Sequence, residues 1–250
     1  MKVIFNGNLL ELKNTPASHS GWLPGSGIFE TVKTVGNAPY ALGLHLSRAQ
    51  RASDFLKITM PSLTQIKESL SVLFASRAFE NGMLRISFSG SGDWLAVHMP
   101  YVDSQEALNL RVHPQRLEGN IHKQFPYDAR LEIMEQAKAA GFDDAITVNA
   151  KGHICEGSVT NLIVRIGDQW FTPPVHDELL PGIMRQIILE NQLAQAESIP
   201  VDQISQISSA FLISSLRIAQ PVCAIEGRQL QVPHGLHQEI HTLARKYSVG

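Results

Sequence analysis

Residues 152–164 read GHICEGSVTNLIV, from Gly152 to Val164. The glycines and Ser158 mark a turn, Asn161 opens an apolar run that reads as a strand, and Glu156 sits between them. On an exposed hairpin such an acid is only a solvated charge. Its meaning depends on what the chain places upstream and downstream of it.

The chain has 250 residues, 44% of them hydrophobic and 18% charged, with a net charge of −2. That composition belongs to a globular protein with a real core. It carries no broad positive field for nucleic acid or an anionic membrane. The opening segment MKVIFNGNLLELK meets Asn6-Gly7 after only three apolar residues, too few for a signal sequence, and no other run reaches membrane-spanning length. Cys155 and Cys223 share no metal-type spacing and read as free thiols in a reducing compartment. The expectation is a cytoplasmic protein with neither a nucleic-acid nor a membrane partner.

KVIFN and LLEL flank Asn6-Gly7-Asn8 as a hairpin. GIFETVKTV alternates Ile28, Glu30 and Val32 against Phe29, Thr31 and Lys33, a strand pattern, and Gly36-Asn37 turns it into APYAL. Leu46, Ala49, Ala52 or Ser53, and Leu56 then recur at helical spacing, and a second helix is predicted from Ser62 to about Phe79. MLRISFSG and DWLAVHMPYV add two strands. The extended, polar stretch from Tyr101 to about Gly119 suits a connection between domains. Beyond it the pattern predicts a helix over Asp128–Ala140, strands around AITVN, NLIVRI and QWFTP, and a helix after Leu180-Pro181-Gly182. Short strands from Phe211 to Ile225 follow, then a closing helix near Leu236–Lys246. Strands with consecutive helices make the first half α+β.

Lys123 lies 33 residues ahead of Glu156, just before a predicted helix. Arg48 lies on the first predicted helix, two residues and about 200° from Leu46, so it is expected to point away from the apolar stripe. TPPVHDELLPGIMR and FLISSLRIAQPV each offer backbone N–H groups at a helix start or tight turn, a common way to hold phosphate. A lysine, a carboxylate, an arginine and a phosphate cradle point to pyridoxal 5′-phosphate chemistry. The turns Gly25-Ser26-Gly27 and Gly90-Ser91-Gly92 continue into no nucleotide fingerprint. His234, His237 and His241 share a helical face without a fixed carboxylate or cysteine, so no metal site is expected.

Six blocks in order, GSGIFETVKTVGNAPYAL, HLSRAQRASDFL, HKQFPY, GFDDAITVNAKGHICEGSVTNLIV, FTPPVHDELLPGIMR and SSLRIAQPV, make the chain resemble the class IV aminotransferase family, the fold type IV enzymes that use pyridoxal 5′-phosphate. The resemblance covers most of the length. It implies a mixed α+β and α/β fold like that of D-amino-acid aminotransferase, with two domains and the cofactor at their interface. The expected division is a smaller N-terminal domain over 1–105, a connection over 106–119 and a larger cofactor-binding domain over 120–250. By position, the resemblance makes Lys123 the Schiff-base lysine and proton shuttle, Glu156 the partner of the pyridine nitrogen, and Arg48 a phosphate ligand. It places Tyr127 near the cofactor's phenolic oxygen, and Ile183, Met184 and Ser215 at the phosphate. Asn161 is expected to hold the Glu156 loop. A homodimer is implied, with the His19–Pro24 loop reaching the neighbouring pocket.

The resemblance leaves two reactions on a small amino substrate. One is a lyase of the 4-amino-4-deoxychorismate type, releasing 4-aminobenzoate and pyruvate for folate synthesis. The other is an amino-acid transaminase, the branched-chain type ahead of the D-amino-acid type because Ser89-Gly90 replaces an expected Arg and His. Compact length and the SSLR segment favour the lyase. Arg85 and Arg217 are the two candidates for the substrate carboxylate.

Overall fold

The computed structural model describes residues 1–104 and 106–247. Asn6 and Gly7 both take positive φ (48° and 83°), folding Lys2–Phe5 (β1) onto Asn8–Glu11 (β2) as a tight hairpin. Gly27–Val35 (β3) and Ala38–Pro39 (β4) follow, then the helices Leu42–Leu56 (α1) and Leu63–Ser76 (α2). Ser62 caps α2 through the Gln65 amide, and Gln65 returns the bond to the Ser62 backbone, so the start is sharply specified. Its end at Ser76 comes three residues before the predicted Phe79. Asn81–Ser89 (β5) and Trp94–Pro100 (β6) complete the run, giving a sheet ordered β2-β1-β6-β5-β3-β4. Ile4, Ile28, Val32, Leu84 and Ile86 of this sheet meet Leu46, Ala49, Ile66 and Leu70 of the two helices in one apolar cluster.

Leu108–Arg116, expected as a connection, is instead a strand, β7. Its polar look arises because Pro114, Gln115 and Arg116 at its C-terminal end are exposed, while Leu110 is buried. Gln124–Phe125 (β8) then pairs back onto Gly27 and Ile28 of β3. Only glycine fits at Gly27. A Cβ there would lie 2.1 Å from the Phe88 carbonyl oxygen and 2.7 Å from the Phe125 ring.

The remaining elements are Asp128–Ala139 (α3), Asp144–Val148 (β9), Asn161–Ile166 (β10), Gln169–Thr172 (β11), Ile183–Glu190 (α4), Gln195–Ala196 (β12), Ile207–Ser214 (β13), Ile218–Ile225 (β14), Arg228–Gln229 (β15) and His234–Lys246 (α5). Their sheet runs β12-β11-β10-β13-β14-β7-β9, with β7 parallel to both β14 and β9. Leu110, Ile146, Leu162, Val164, Leu212 and Val222 form its core.

The chain divides into two units. The first holds Met1–Asp103, His122–Pro126 and Tyr247; the second holds Ser104–Ile121 and Tyr127–Lys246. Lys123 therefore belongs with the first sheet, although the sequence reading set it in a domain beginning at residue 120.

Candidate active site

In the first unit, β3 carries Glu30 between Ile28 and Val32, and all three are almost fully buried. Arg48 of α1 answers it side-on: Nε donates to Oε1 at 2.8 Å and Nη2 to Oε2 at 2.6 Å. His45, one turn earlier on α1, donates from Nδ1 to Oε2 at 2.6 Å. Burial alone would raise the Glu30 carboxyl, but the Arg48 charge and the His45 contact hold it down at about 2. His45 is lowered by burial and by the Arg48 and Lys123 charges, against the pull of Glu30. Lys123 thus lies within electrostatic reach of this cluster.

The position of Arg48 corrects the sequence reading. It is only 7% exposed, because its guanidinium packs onto the buried Glu30 carboxylate of β3. Measured from Leu46 it lies about 200° round the helix, but from the buried Ala52 only about 40°.

Lys123 enters from the segment leading into β8. Its carbonyl accepts a hydrogen bond from Phe29 N at 2.9 Å, and its Nζ stands 4.5 Å from the Phe29 ring centroid. Trp22 packs edge-on against Phe29 (4.8 Å between centroids) and tilted against Phe125 (5.9 Å). The Arg85 guanidinium lies 3.9 Å over Trp22 and donates to the Ser20 carbonyl at 3.0 Å. Burial pulls Arg85 down to about 10, which still leaves it charged near neutrality. The structure therefore assigns Arg85 a partner that the sequence did not indicate: the wall of the 19–24 loop.

In the second unit, the backbone at Glu156 is tied to β9. Thr147 N donates to the Glu156 carbonyl at 2.8 Å, and Cys155 N donates to the Thr147 carbonyl at 2.9 Å. Gly157 N closes the turn on the Thr160 carbonyl at 2.8 Å. The Glu156 side chain is buried, and its Oε2 accepts from Leu180 N at 3.2 Å and Asn161 Nδ2 at 3.3 Å. The same Asn161 amide donates to the Leu180 carbonyl at 2.9 Å, as expected of a residue holding this loop. Oε1 takes no hydrogen bond and faces the Arg130 guanidinium as an ion pair. Arg130 is itself lowered by burial, against the pull of Tyr127, Cys155 and Asp144. Burial also pushes the Cys155 thiol up to about 12, which removes it as a nucleophile.

Two further backbone features belong to the same unit. Helix α4 starts at Ile183 after Gly182, with no side-chain cap, so the amides of Ile183 and Met184 have no acceptor within the helix. A Cβ on Gly182 would meet Asn161 Oδ1 at 1.8 Å, so the helix start is packed directly on the loop-holding amide. The second feature is the turn at Ser215, where the Ser214 hydroxyl accepts from Arg217 N at 3.1 Å and Ile218 takes φ +60°. That conformation is rare for a β-branched residue, and such backbone strain concentrates at functional positions.

Tyr127 stands at the N-cap position of α3. Arg217, expected at a substrate carboxylate, pairs its Nη1 with Asp144 Oδ2 at 3.8 Å, and Asp144 is fully buried. Among the described residues no group of three or more His, Cys, Asp or Glu is placed to hold a metal. Sequence reasoning missed Glu30, His45, Arg130 and Asp144. For Glu30 a signal was available: an acid between Ile28 and Val32 on the inward face of a strand calls for a buried cation.

The chain belongs to the amino-transferase class IV family, whose sequence pattern matches residues 27–225. It is a pyridoxal 5′-phosphate-dependent enzyme, an aminotransferase or a lyase, with the fold type IV architecture. A Methanocaldococcus jannaschii relative assigned as a branched-chain-amino-acid aminotransferase is 25% identical, over 91% of this chain and 89% of its own. The aminodeoxychorismate lyase of Bacillus subtilis is 26% identical over 76% of this chain and 73% of its own. The branched-chain aminotransferase of Thermoproteus uzoniensis, solved with norvaline, superposes with a TM-score of 0.85 at 22% identity, covering 98% of this chain and 94% of that one.

Proposed function

We propose that this enzyme is a 4-amino-4-deoxychorismate lyase, converting that substrate to 4-aminobenzoate and pyruvate. The observation that carries the reading is the aromatic wall beside Lys123. Its amine stands over Phe29, which Trp22 and Phe125 back, and such a surface suits a planar ring better than a short aliphatic chain. The likeness to the Bacillus subtilis lyase supports it.

The residues present fit pyridoxal 5′-phosphate. Glu156 is a buried carboxylate, held at Oε2 by Leu180 N and Asn161 and paired at Oε1 with Arg130, and a carboxylate is the group that would hold a protonated ring nitrogen. Arg48, the uncapped amides of Ile183 and Met184, and the Ser215 turn would hold the phosphate. Tyr127 would lie by the phenolic oxygen. When bound, the cofactor supplies an aldehyde for the substrate amine and an electron sink for the carbon that bears it. Lys123 Nζ would take the proton from that carbon. Loss of this proton expels the enolpyruvyl side chain from the neighbouring ring carbon, the ring becomes aromatic, and the released enol takes a proton to give pyruvate. Glu156 would keep its proton-sharing contact with the ring nitrogen throughout. Arg85 and Arg217 are the two candidates for a substrate carboxylate, Arg85 beside the aromatic wall and Arg217 beside Asp144.

A second reading, a branched-chain transaminase, is favoured by the relative from Methanocaldococcus jannaschii. In it Lys123 would hold and redeliver the proton from the amine-bearing carbon, water would release the keto acid, and a second keto acid would take up the amino group. The deciding experiment supplies 4-amino-4-deoxychorismate alone, and separately L-leucine, L-glutamate and D-alanine with 2-oxoglutarate or pyruvate, and follows products by mass. 4-Aminobenzoate and pyruvate without an acceptor support the lyase; a keto acid made only with an acceptor overturns it. The reading includes a homodimer in the cytoplasm, and sedimentation of the purified protein tests the dimer. Among the described residues no helix is long and apolar enough to cross a membrane.

A further inference from the structure

We infer that Arg85 is a specificity-determining positioning residue: it holds Trp22 against Phe29 and Phe125 beside Lys123, and so selects a substrate with a planar ring over an aliphatic one. The inference rests on the proposed reading of that aromatic surface as the substrate wall and adds the residue that would keep it in place.

The register of β5 carries the argument. Leu84 and Ile86 join the helices in the apolar cluster, so Arg85 between them lies on the opposite face of the sheet. Its cross-strand partners are Thr31 of β3 and Val97 of β6. Phe29, two residues from Thr31, shares that face and adjoins Arg85 diagonally. The turn that carries Trp22 is closed on itself. Ser18 N donates to the Trp22 carbonyl at 2.8 Å, Gly21 N to the Ser18 carbonyl at 2.9 Å, and Trp22 N to Ser18 Oγ at 3.1 Å. Those bonds give the turn its shape without attaching it to the sheet. Arg85 attaches it twice, by Nη1 on the Ser20 carbonyl at 3.0 Å and by its guanidinium 3.9 Å over the Trp22 ring. A planar guanidinium can lie over an indole and still donate in its own plane; a lysine ammonium, a point charge, cannot do both. Gly21 then packs on Val97, where a Cβ would lie 2.9 Å from Cγ2. Held in this way, Trp22 meets Phe29 edge-on at 4.8 Å and Phe125 at 5.9 Å, and Lys123 Nζ stands over Phe29.

The competing role is direct contact with substrate, since Arg85 Nε is buried and has no hydrogen-bond partner among the described residues. Such a contact would serve any carboxylate alike. A wall held by Arg85 serves only a ring.

The test titrates the cofactor-loaded full chain calorimetrically with 4-aminobenzoate and with 4-methylpentanoate, which carry one carboxylate on a planar ring and on an aliphatic chain respectively. Arg85→Met should weaken 4-aminobenzoate about tenfold, the scale of one lost aromatic contact, and leave 4-methylpentanoate unchanged. Arg85→Lys keeps the charge without the fork and should fall between; it also serves if Arg85→Met does not fold. Trp22→Leu should show the same selective loss, and Arg85→Met added to it should change the ratio no further. In protein labelled with 5-fluorotryptophan, the Trp22 fluorine resonance, assigned by its absence in Trp22→Phe, should shift in Arg85→Met while those of Trp94 and Trp170 stay in place. Equal weakening of both acids by the Arg85 variants would make Arg85 a carboxylate ligand and overturn the inference. So would wild-type selectivity or an unmoved Trp22 resonance in the Arg85 variants when Trp22→Leu has lost its selectivity. Wild-type selectivity in Trp22→Leu, or no selectivity in the wild type, would overturn the wall reading beneath it.

Discussion

The Asn161 amide bonds the Glu156 carboxylate (3.3 Å) and the Leu180 carbonyl (2.9 Å) at once, so the loop before α4 and the acid beneath it are held as a unit. Asn161→Ala should cost about 1–2 kcal/mol of stability, because the Leu180 carbonyl and a carboxylate oxygen both lose a donor. Gly182→Ala should be destabilising for a different reason: the new methyl would fall 1.8 Å from Asn161 Oδ1. Chemical denaturation measures both. Wild-type midpoints would show that this loop is held by other contacts.

Lys123→Ala should abolish the visible absorbance that the lysine gives to bound pyridoxal 5′-phosphate, and turnover should fall by at least about 10²-fold. Far-ultraviolet circular dichroism should not change, since β8 pairs with β3 through its backbone. An unchanged visible spectrum sinks the assignment.

Glu156→Gln should slow catalysis by on the order of 10²-fold while leaving phosphate-dependent affinity nearly intact. It keeps the shape of the side chain and removes the charge that favours a protonated ring nitrogen. Wild-type turnover in this variant would remove Glu156 from the electron-sink role.

Arg217→Gln should act on stability before it acts on substrate. It removes the positive charge 3.8 Å from the buried Asp144 carboxylate, a pair without a hydrogen bond, for a loss of about 1 kcal/mol. Thermal unfolding compared with KM separates the roles. A raised KM with an unchanged melting temperature would return Arg217 to the substrate.

His45 should make the fold acid-sensitive. Its ring is lowered from 6.5 by burial, so as pH falls through that value the unfolded chain binds a proton that the folded one resists. Stability therefore drops with falling pH, until the folded ring also protonates. Glu30 adds nothing in that window: with a folded value of about 2, its contribution is lost only below its ordinary 4.5. His45→Asn should reduce the loss of melting temperature between about pH 8 and about pH 5.5. An identical slope in the variant refutes this.

The strands from Gly27, Asn81 and Trp94 and the helices from Leu42 and Asp128 were legible because each is governed by a local period. Strand β7 was not. Its partners, β14 and β9, run parallel to it, so no adjoining turn announces the pairing, and Arg111, His113 and Gln115 dilute the apolar pattern. Arg48 was misjudged because one helix stripe was taken as the whole buried face. Glu156 and Asn161 could be paired from sequence since they share one short loop. Arg130 could not, because its approach to Glu156 depends on where α3 lies against β9.

The order in which the chain visits its two units constrains how it can be made. Residues 27 and 28 acquire their β8 partner only after Phe125 has been synthesised, and the Ala41 amide waits for the Tyr247 carbonyl, 2.9 Å away in the finished fold. A nascent chain of 103 residues already holds Glu30, His45 and Arg48 but lacks Lys123. Neither unit is encoded by one contiguous stretch: residues 122–126 and Tyr247 of the first are separated from the rest of it by segments of the second.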